Sequence, residues 1–234
     1  MPFVNRSHAG RKLAEALARW QGENVLVLAL PRGGVPVAKE IAAALHASLD
    51  LILVRKIGVP GQAELAMGAV VGGAAPLTVR NDDIIALAGI TAAEFAVRAR
   101  ELAEIRRRAE YLGTRSHPDV TGRTVIIVDD GIATGATIRA ALRAVRKWQP
   151  AKLIVAVPVA PSSSLTALRC EADEVVCLED YEVLGAIGYF YEDFRQVSDR
   201  DVKDILAEFP ADRAAGGGVA SSGPLSFCNT RKNQ

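Results

Sequence analysis

In the stretch TVIIVDDGIATGATIRAAL, residues 124–142, an apolar run ends on two adjacent carboxylates, Asp129 and Asp130. Carboxylates at such a point accept hydrogen bonds from vicinal hydroxyls, ligate a metal, or face a positive charge. The segment that follows, Ala133-Thr134-Gly135-Ala136-Thr137, opens a helical pattern. Free backbone N–H groups and the positive end of the helix dipole favour an anion there. Gly135 lets the backbone come close, and Thr134 and Thr137 add hydroxyl donors. The combination is a holder for a sugar phosphate, with carboxylates for the diol and the loop for the phosphate. A paired Asp by itself is usually a turn or a helix cap. The order of the parts, directly after a buried strand and opening a helix, is what gives them weight. Adjacent strand residues point to opposite faces, so in a regular strand the two carboxylates divide the work. Neither GxxxxGK[ST] nor GxGxxG occurs there.

Such a holder needs a sheet whose strands end at it. Apolar runs alternate with helical patterns along the chain, which predicts an α/β fold with a mostly parallel central sheet flanked by helices and a small hood or insertion. An amphipathic helix is expected over about residues 7–20, with Leu13, Leu17 and Trp20 on one face. NVLVLAL reads as a buried strand, PRGG as its loop, and VPVAKEIAAALH as a helix with Pro36 in its first turn. LDLILV reads as the second strand, RKIGVPGQAEL as a loop, and AMGAVVGGAAPLTV as a hairpin about Gly72-Gly73. Residues 82–112 read as a helical insertion, with Phe95, Ala99, Leu102, Ile105, Ala109 and Leu112 as its apolar stripe. TVIIV, KLIVAVPVA and DEVVCL are strands; ATIRAALRAVRKW and SSSLTALR are helices. Residues 1–210 then form one domain, and the small, polar, Gly-rich residues 211–234 a disordered tail.

VIIVDDGIATGAT resembles the phosphoribosyl pyrophosphate (PRPP) binding motif of the type I phosphoribosyltransferases. LALPRGGVPVAKEIAAAL resembles that family's pyrophosphate-loop region, and LVRKIGVPGQAELAMGAV its next strand and mobile catalytic loop. The likeness extends over about residues 4–206 and is to bacterial phosphoribosyltransferases of unassigned acceptor, some fused to hydrolase domains. It implies that Asp129 and Asp130 hold the ribose hydroxyls and that Ala133 through Thr137 cradle the 5-phosphate. Hypoxanthine-guanine enzymes carry a further Asp where this chain has Ala133; alanine there is similar to the adenine-type motif. The family often places base-stacking residues after the last core strand, where Tyr181, Tyr189, Phe190, Tyr191 and Phe194 cluster. Tyr189 and Tyr191 are the candidates for an acceptor base, and a small satellite core is the competing reading.

A diphosphate leaving group needs positive charge where its own charge develops. Arg32, followed by Gly33 and Gly34, offers a guanidinium and exposed N–H groups. Arg55 and Lys56 close the second strand just before a glycine-rich loop that is able to fold over a site. Mg²⁺ bridging the substrate diphosphate is expected, with Asp129 and Asp130 as its protein carboxylates. Glu64 reads as an ordinary loop carboxylate and Arg106–Arg108 as a solvated helix face.

The near-neutral balance, +1 over 234 residues, gives no general pull toward nucleic acid or membrane. The opening residues lack the apolar core of a signal peptide, and no run of 18 apolar residues occurs. Cys170, Cys177 and Cys228 show no metal-ligand spacing. A cytoplasmic enzyme is expected, with PRPP and a small acceptor as partners and association of identical chains left open. Two other classes compete: a non-catalytic PRPP or nucleotide sensor on the same fold, and a diphosphokinase that makes the donor. Arg32, Arg55 and Lys56 favour catalysis over sensing, and no ATP-binding motif supports the kinase.

Overall fold

The computed structural model describes residues 2–72, 77–108, 119–182 and 185–209. β1 (Val25–Ala29) is buried at every position and pairs in parallel with β2 (Ser48–Leu51) and with β6 (Thr124–Val128). β7 (Lys152–Pro161) and β8 (Glu174–Tyr181) extend the sheet in parallel, giving the order β2-β1-β6-β7-β8. The central runs are continuously apolar because helices cover both faces. Val25, Val27, Ala29, Ile126 and Val128 pack with α1 (Arg6–Ala16), α2 (Gly34–Leu45) and α7 (Asp199–Ala207). Leu26, Leu28, Val125 and Ile127 pack with α5 (Ala136–Lys147) and α6 (Ser162–Leu168). The connections run outward in opposite directions from β1 and β6. A ligand crevice in such a sheet opens between those two strands, outside their carboxyl ends.

The second expected strand, residues 49–54, divides. β2 stops at Leu51, and Val54 begins β3 (Val54–Val59) of a separate antiparallel sheet, order β3-β4-β5, with β4 at Gln62–Val71 and β5 at Leu77–Arg80. The apolar run hides the break because burial continues across it. Ile52, Val71 and Val79 all join the core on the α5 face of the main sheet. Residues 55–65, expected as a mobile loop, are instead most of the β3–β4 hairpin. Val59 pairs with Gln62 across Pro60-Gly61, and Gly61 has φ +78°. Proline followed by a residue at positive φ makes a type II turn. The hairpin expected about Gly72-Gly73 is present as the antiparallel β4–β5 pair.

The helical insertion also divides, into α3 (Asp82–Leu87) and α4 (Ala92–Arg108). Thr91 starts the second helix with a capping box: Glu94 N–H donates to Thr91 Oγ1 at 3.2 Å, and Thr91 N–H to Glu94 Oε2 at 2.9 Å. Phe95 and Ala99 of the expected stripe bury against Ile57, Met67 and Val70 of the small sheet. The side chains of Glu64, Leu102, Ile105 and Arg106–Arg108, together with Ala109, Leu112 and the 211–234 tail, lie outside the described residues. Among the described residues no helix is long and apolar enough to cross a membrane.

Among the described side chains of α4, Phe95 is the largest buried against the small sheet and is 4% exposed. Phe95→Ala is expected to lower stability by about 3–5 kcal/mol, through lost transfer energy and the cavity left behind. Urea unfolding measures it, and an unchanged midpoint would show that the hood does not depend on this contact.

Candidate functional site

The carboxyl ends of β1 and β6 meet in the crevice. Leu30 N–H donates to Val128 C=O at 2.9 Å, and the chain then turns through Pro31, Arg32, Gly33 and Gly34 into α2. The Pro31–Arg32 peptide is cis. The two glycines lie directly against the end of β6. A Cβ on Gly33 would stand 2.0 Å from Asp130 Oδ2, and one on Gly34 would stand 2.7 Å from Val128 O and 2.9 Å from Asp129 Cα. No side chain fits at either position while the carboxylates keep their place. The pair that reads in the sequence as a donor of N–H groups is, in the structure, what makes room for Asp129 and Asp130.

The condition for opposite faces, a strand that stays regular through both carboxylates, is not met. β6 ends at Val128, so both lie beyond the regular strand and share one environment. Burial, and next the neighbouring Asp130 charge, hold the Asp129 carboxyl well above the usual range; the hydrogen bond from Asp130 N–H to Asp129 Oδ1 at 2.9 Å and the Arg6 charge oppose this. Asp130 is 9% exposed. Its Oδ2 accepts from Arg6 Nε at 2.8 Å, and its carbonyl accepts from the Tyr191 hydroxyl at 2.6 Å. Burial, and then the Asp130 charge, push the Tyr191 hydroxyl upward, which keeps it protonated as that donor.

Beyond the carboxylates, Ile132 N–H pins the loop to Val159 C=O at 2.9 Å, leaving Ala133 and Thr134 exposed. Gly135, at φ +75°, is the N-cap of α5, and no side chain caps this helix end. Arg139 N–H is bonded to Gly135 C=O, so the N–H groups of Ala136, Thr137 and Ile138 precede the first intrahelical bond. Thr137 in the first turn is half-buried, and an uncapped helix start of this kind favours an anion.

The basic candidates take different positions. Arg32 is exposed, with its Nη1 3.6 Å from Asp199 Oδ1 at the first residue of α7. Arg55 and Lys56 lie inside β3, opposite Val70 and Ala69, rather than at the end of the second main-sheet strand. Arg55 is exposed and Lys56 half-buried. Among the aromatics, Tyr191 is 2% exposed and packs between Phe3 and Phe194 at ring-centroid separations of 5.5 and 5.0 Å. It is a wall behind the carboxylates rather than an open stacking face. Tyr189 is 72% exposed. Arg6, absent from the sequence reading, contacts Asp130 across 124 positions of chain; no local spacing signals such a pairing.

The phosphoribosyl transferase domain model matches residues 5–189. Two relatives from Mycobacterium tuberculosis, strains CDC 1551 and H37Rv, each provisionally named a phosphoribosyl transferase, are 44% identical over 227 residues. The alignment covers 95% of this chain and 51% of each relative, so the chain spans about half the length of these curated relatives. A crystal structure of a Thermus thermophilus protein superposes with a TM-score of 0.73 at 40% identity, covering 89% of this chain and 99% of that one.

Two close carboxylates, one with a raised pKa, oppose folding at neutral pH. In the window from the ordinary carboxylate pKa up to the raised value of Asp129, the native state binds more protons than the unfolded state, so stability falls as pH rises. Asp129→Asn keeps the acceptor for Asp130 N–H and removes the charge. It is expected to raise the melting temperature of the ligand-free protein at pH 7, by an amount that shrinks as the pH falls through that window. Calorimetric melting across pH checks this, and an equal or lower melting temperature at pH 7 would contradict it.

Proposed function

Given that the chain belongs to the phosphoribosyl transferase domain family, we propose that it transfers the 5-phosphoribosyl group of PRPP to a nitrogenous base or related small acceptor, releasing pyrophosphate. The observation that carries the reading is the junction of two close carboxylates and a helix start without a side-chain cap, at the β1/β6 crevice. Vicinal ribose hydroxyls donate to Asp129 and Asp130. The 5-phosphate accepts from the N–H groups at the start of α5 and from the Thr134 and Thr137 hydroxyls. At the anomeric carbon the bond to the diphosphate breaks, its electron pair leaves with pyrophosphate, the acceptor lone pair forms the new bond, and an N–H acceptor gives up its proton to water or to the departing pyrophosphate. The transition state has oxocarbenium character, so carboxylates near the ring stabilise it and no protein nucleophile is needed.

The leaving charge falls to Arg32, Arg55 and Lys56. Arg32 must exchange Asp199 for the diphosphate, and the exposure of both partners permits that. Among the described residues no group of three His, Cys, Asp or Glu side chains is placed to cage a metal ion. Mg²⁺ keeps waters and substrate phosphates as ligands and takes only one or two protein carboxylates. Asp129 and Asp130 would be those carboxylates, and the ion would neutralise diphosphate charge. On the acceptor side, Tyr189 offers the accessible ring, and Ala133 leaves the loop without the further Asp.

Thr137→Ala is expected to weaken PRPP binding about tenfold, the loss of one hydrogen bond to a charged group. Titration calorimetry measures this, and equal affinity would remove the phosphate-cradle role. The decisive experiment for catalysis screens purine and pyrimidine bases with PRPP and Mg²⁺, following pyrophosphate release. With an acceptor in hand, Lys56→Ala should lower turnover on the order of 10²–10³-fold with a modest change in PRPP affinity. Intact PRPP binding with no turnover on any base would point to the sensor instead.

A further inference from the structure

We infer that Arg6 is a positioning residue for the ribose diol, acting through Asp130. This rests on the reading that Asp129 and Asp130 receive the ribose hydroxyls. Arg6 opens α1, where the Asn5 side chain caps the helix by accepting from His8 N–H. From there its guanidinium is fixed in three ways. Nε donates to Asp130 Oδ2 at 2.8 Å, Nη1 donates to the Arg195 carbonyl at 2.8 Å, and the guanidinium carbon lies 3.8 Å from the centre of the Phe194 ring. The side chains of Arg6 and Asp130 are 11% and 13% exposed.

The pairing is one-sided. Arg6 engages Oδ2, while the same carboxylate also meets the neighbouring Asp129 carboxyl. A carboxylate taken out of water loses hydration that its partners must replace, and Arg6 supplies a directed, charged donor to one of its oxygens. Gly33 lies beneath it with no side chain to cover it, and the Tyr191 hydroxyl holds the Asp130 backbone from behind. The result is a carboxylate with fixed orientation. A lysine cannot reproduce this, because the planar fork supplies both the directed Nε bond and the stacking on Phe194. Phe194 and Arg195 follow the aromatic stretch assigned to the acceptor, so Arg6 also ties that segment to the donor carboxylates.

The test compares ribose 5-phosphate with 2-deoxyribose 5-phosphate, which share the phosphate and differ in the vicinal diol, on wild-type protein, Arg6→Ala and Arg6→Lys. Binding is measured by titration calorimetry, with circular dichroism and melting curves to certify folding. Wild type should prefer ribose 5-phosphate by about tenfold or more, as one charge-assisted hydrogen bond is worth. Both variants should lose most of that preference while holding 2-deoxyribose 5-phosphate within about twofold of wild type. If Arg6→Ala does not fold, Arg6→Lys decides. A folded variant that keeps the full preference, or one that loses both ligands in parallel, overturns the positioning role. Absence of any preference in wild type overturns the diol reading itself, and with it this inference.

Discussion

The structure depends on placing two carboxylates side by side in a half-buried crevice. Asp129 is held above its ordinary protonation range by burial and by Asp130, so the arrangement resists folding when both are charged. The surroundings compensate. Gly33 and Gly34 leave room where any side chain would collide. Arg6 supplies the countercharge from the other end of the chain. Tyr191 holds the backbone, and the start of α5 points its positive end into the same crevice. Under the proposed function, the ribose hydroxyls of PRPP would bring further donors to the carboxylates, and its 5-phosphate an anion to the helix start. Destabilising groups kept at a binding site are the usual sign of function set against stability.

The main sheet makes this placement rigid. Its order reverses between β1 and β6, so the connections leave these two strands in opposite directions and open the crevice. Covering both sheet faces with helices fixes the strand ends, and the loops hang from fixed points such as Ile132 on Val159. The small antiparallel sheet is joined to the same core through Val71 and Val79 and carries α3 and α4 on its other face. It brings Arg55 and Lys56 into the molecule on a hairpin strand. Any closure over a ligand is therefore a motion of a built element, with its own buried contacts at Ile57 and Met67, rather than of an unstructured loop.

The parallel strands, their covering helices and the DD–ATGAT junction were legible because each is encoded locally, by an apolar run, a 3.6-residue period or a glycine before a helix. The division of residues 49–54 was not, since Leu51, Ile52 and Val54 are apolar on both sides of the point where the pairing partner changes. The β3–β4 hairpin reads in the sequence as a loop because Gly58, Pro60 and Gly61 suggest irregularity; Pro60-Gly61 is instead the turn itself. Within the site, the shared environment of Asp129 and Asp130 was hidden because strand alternation stops one residue earlier than the carboxylates. Arg6 was hidden because its partner lies 124 positions away, and the buried role of Tyr191 because the aromatic run shows no period that separates wall from open face.

The most direct measurement of the central claim is a crystal structure of the protein with PRPP and Mg²⁺ bound. The 5-phosphate is expected within hydrogen-bond reach of the backbone N–H groups at the start of α5. The ribose hydroxyls are expected on Asp129 and Asp130, with Arg6 still on Asp130 Oδ2. PRPP seated elsewhere, or in this crevice with its ribose turned away from both carboxylates, would contradict the claim.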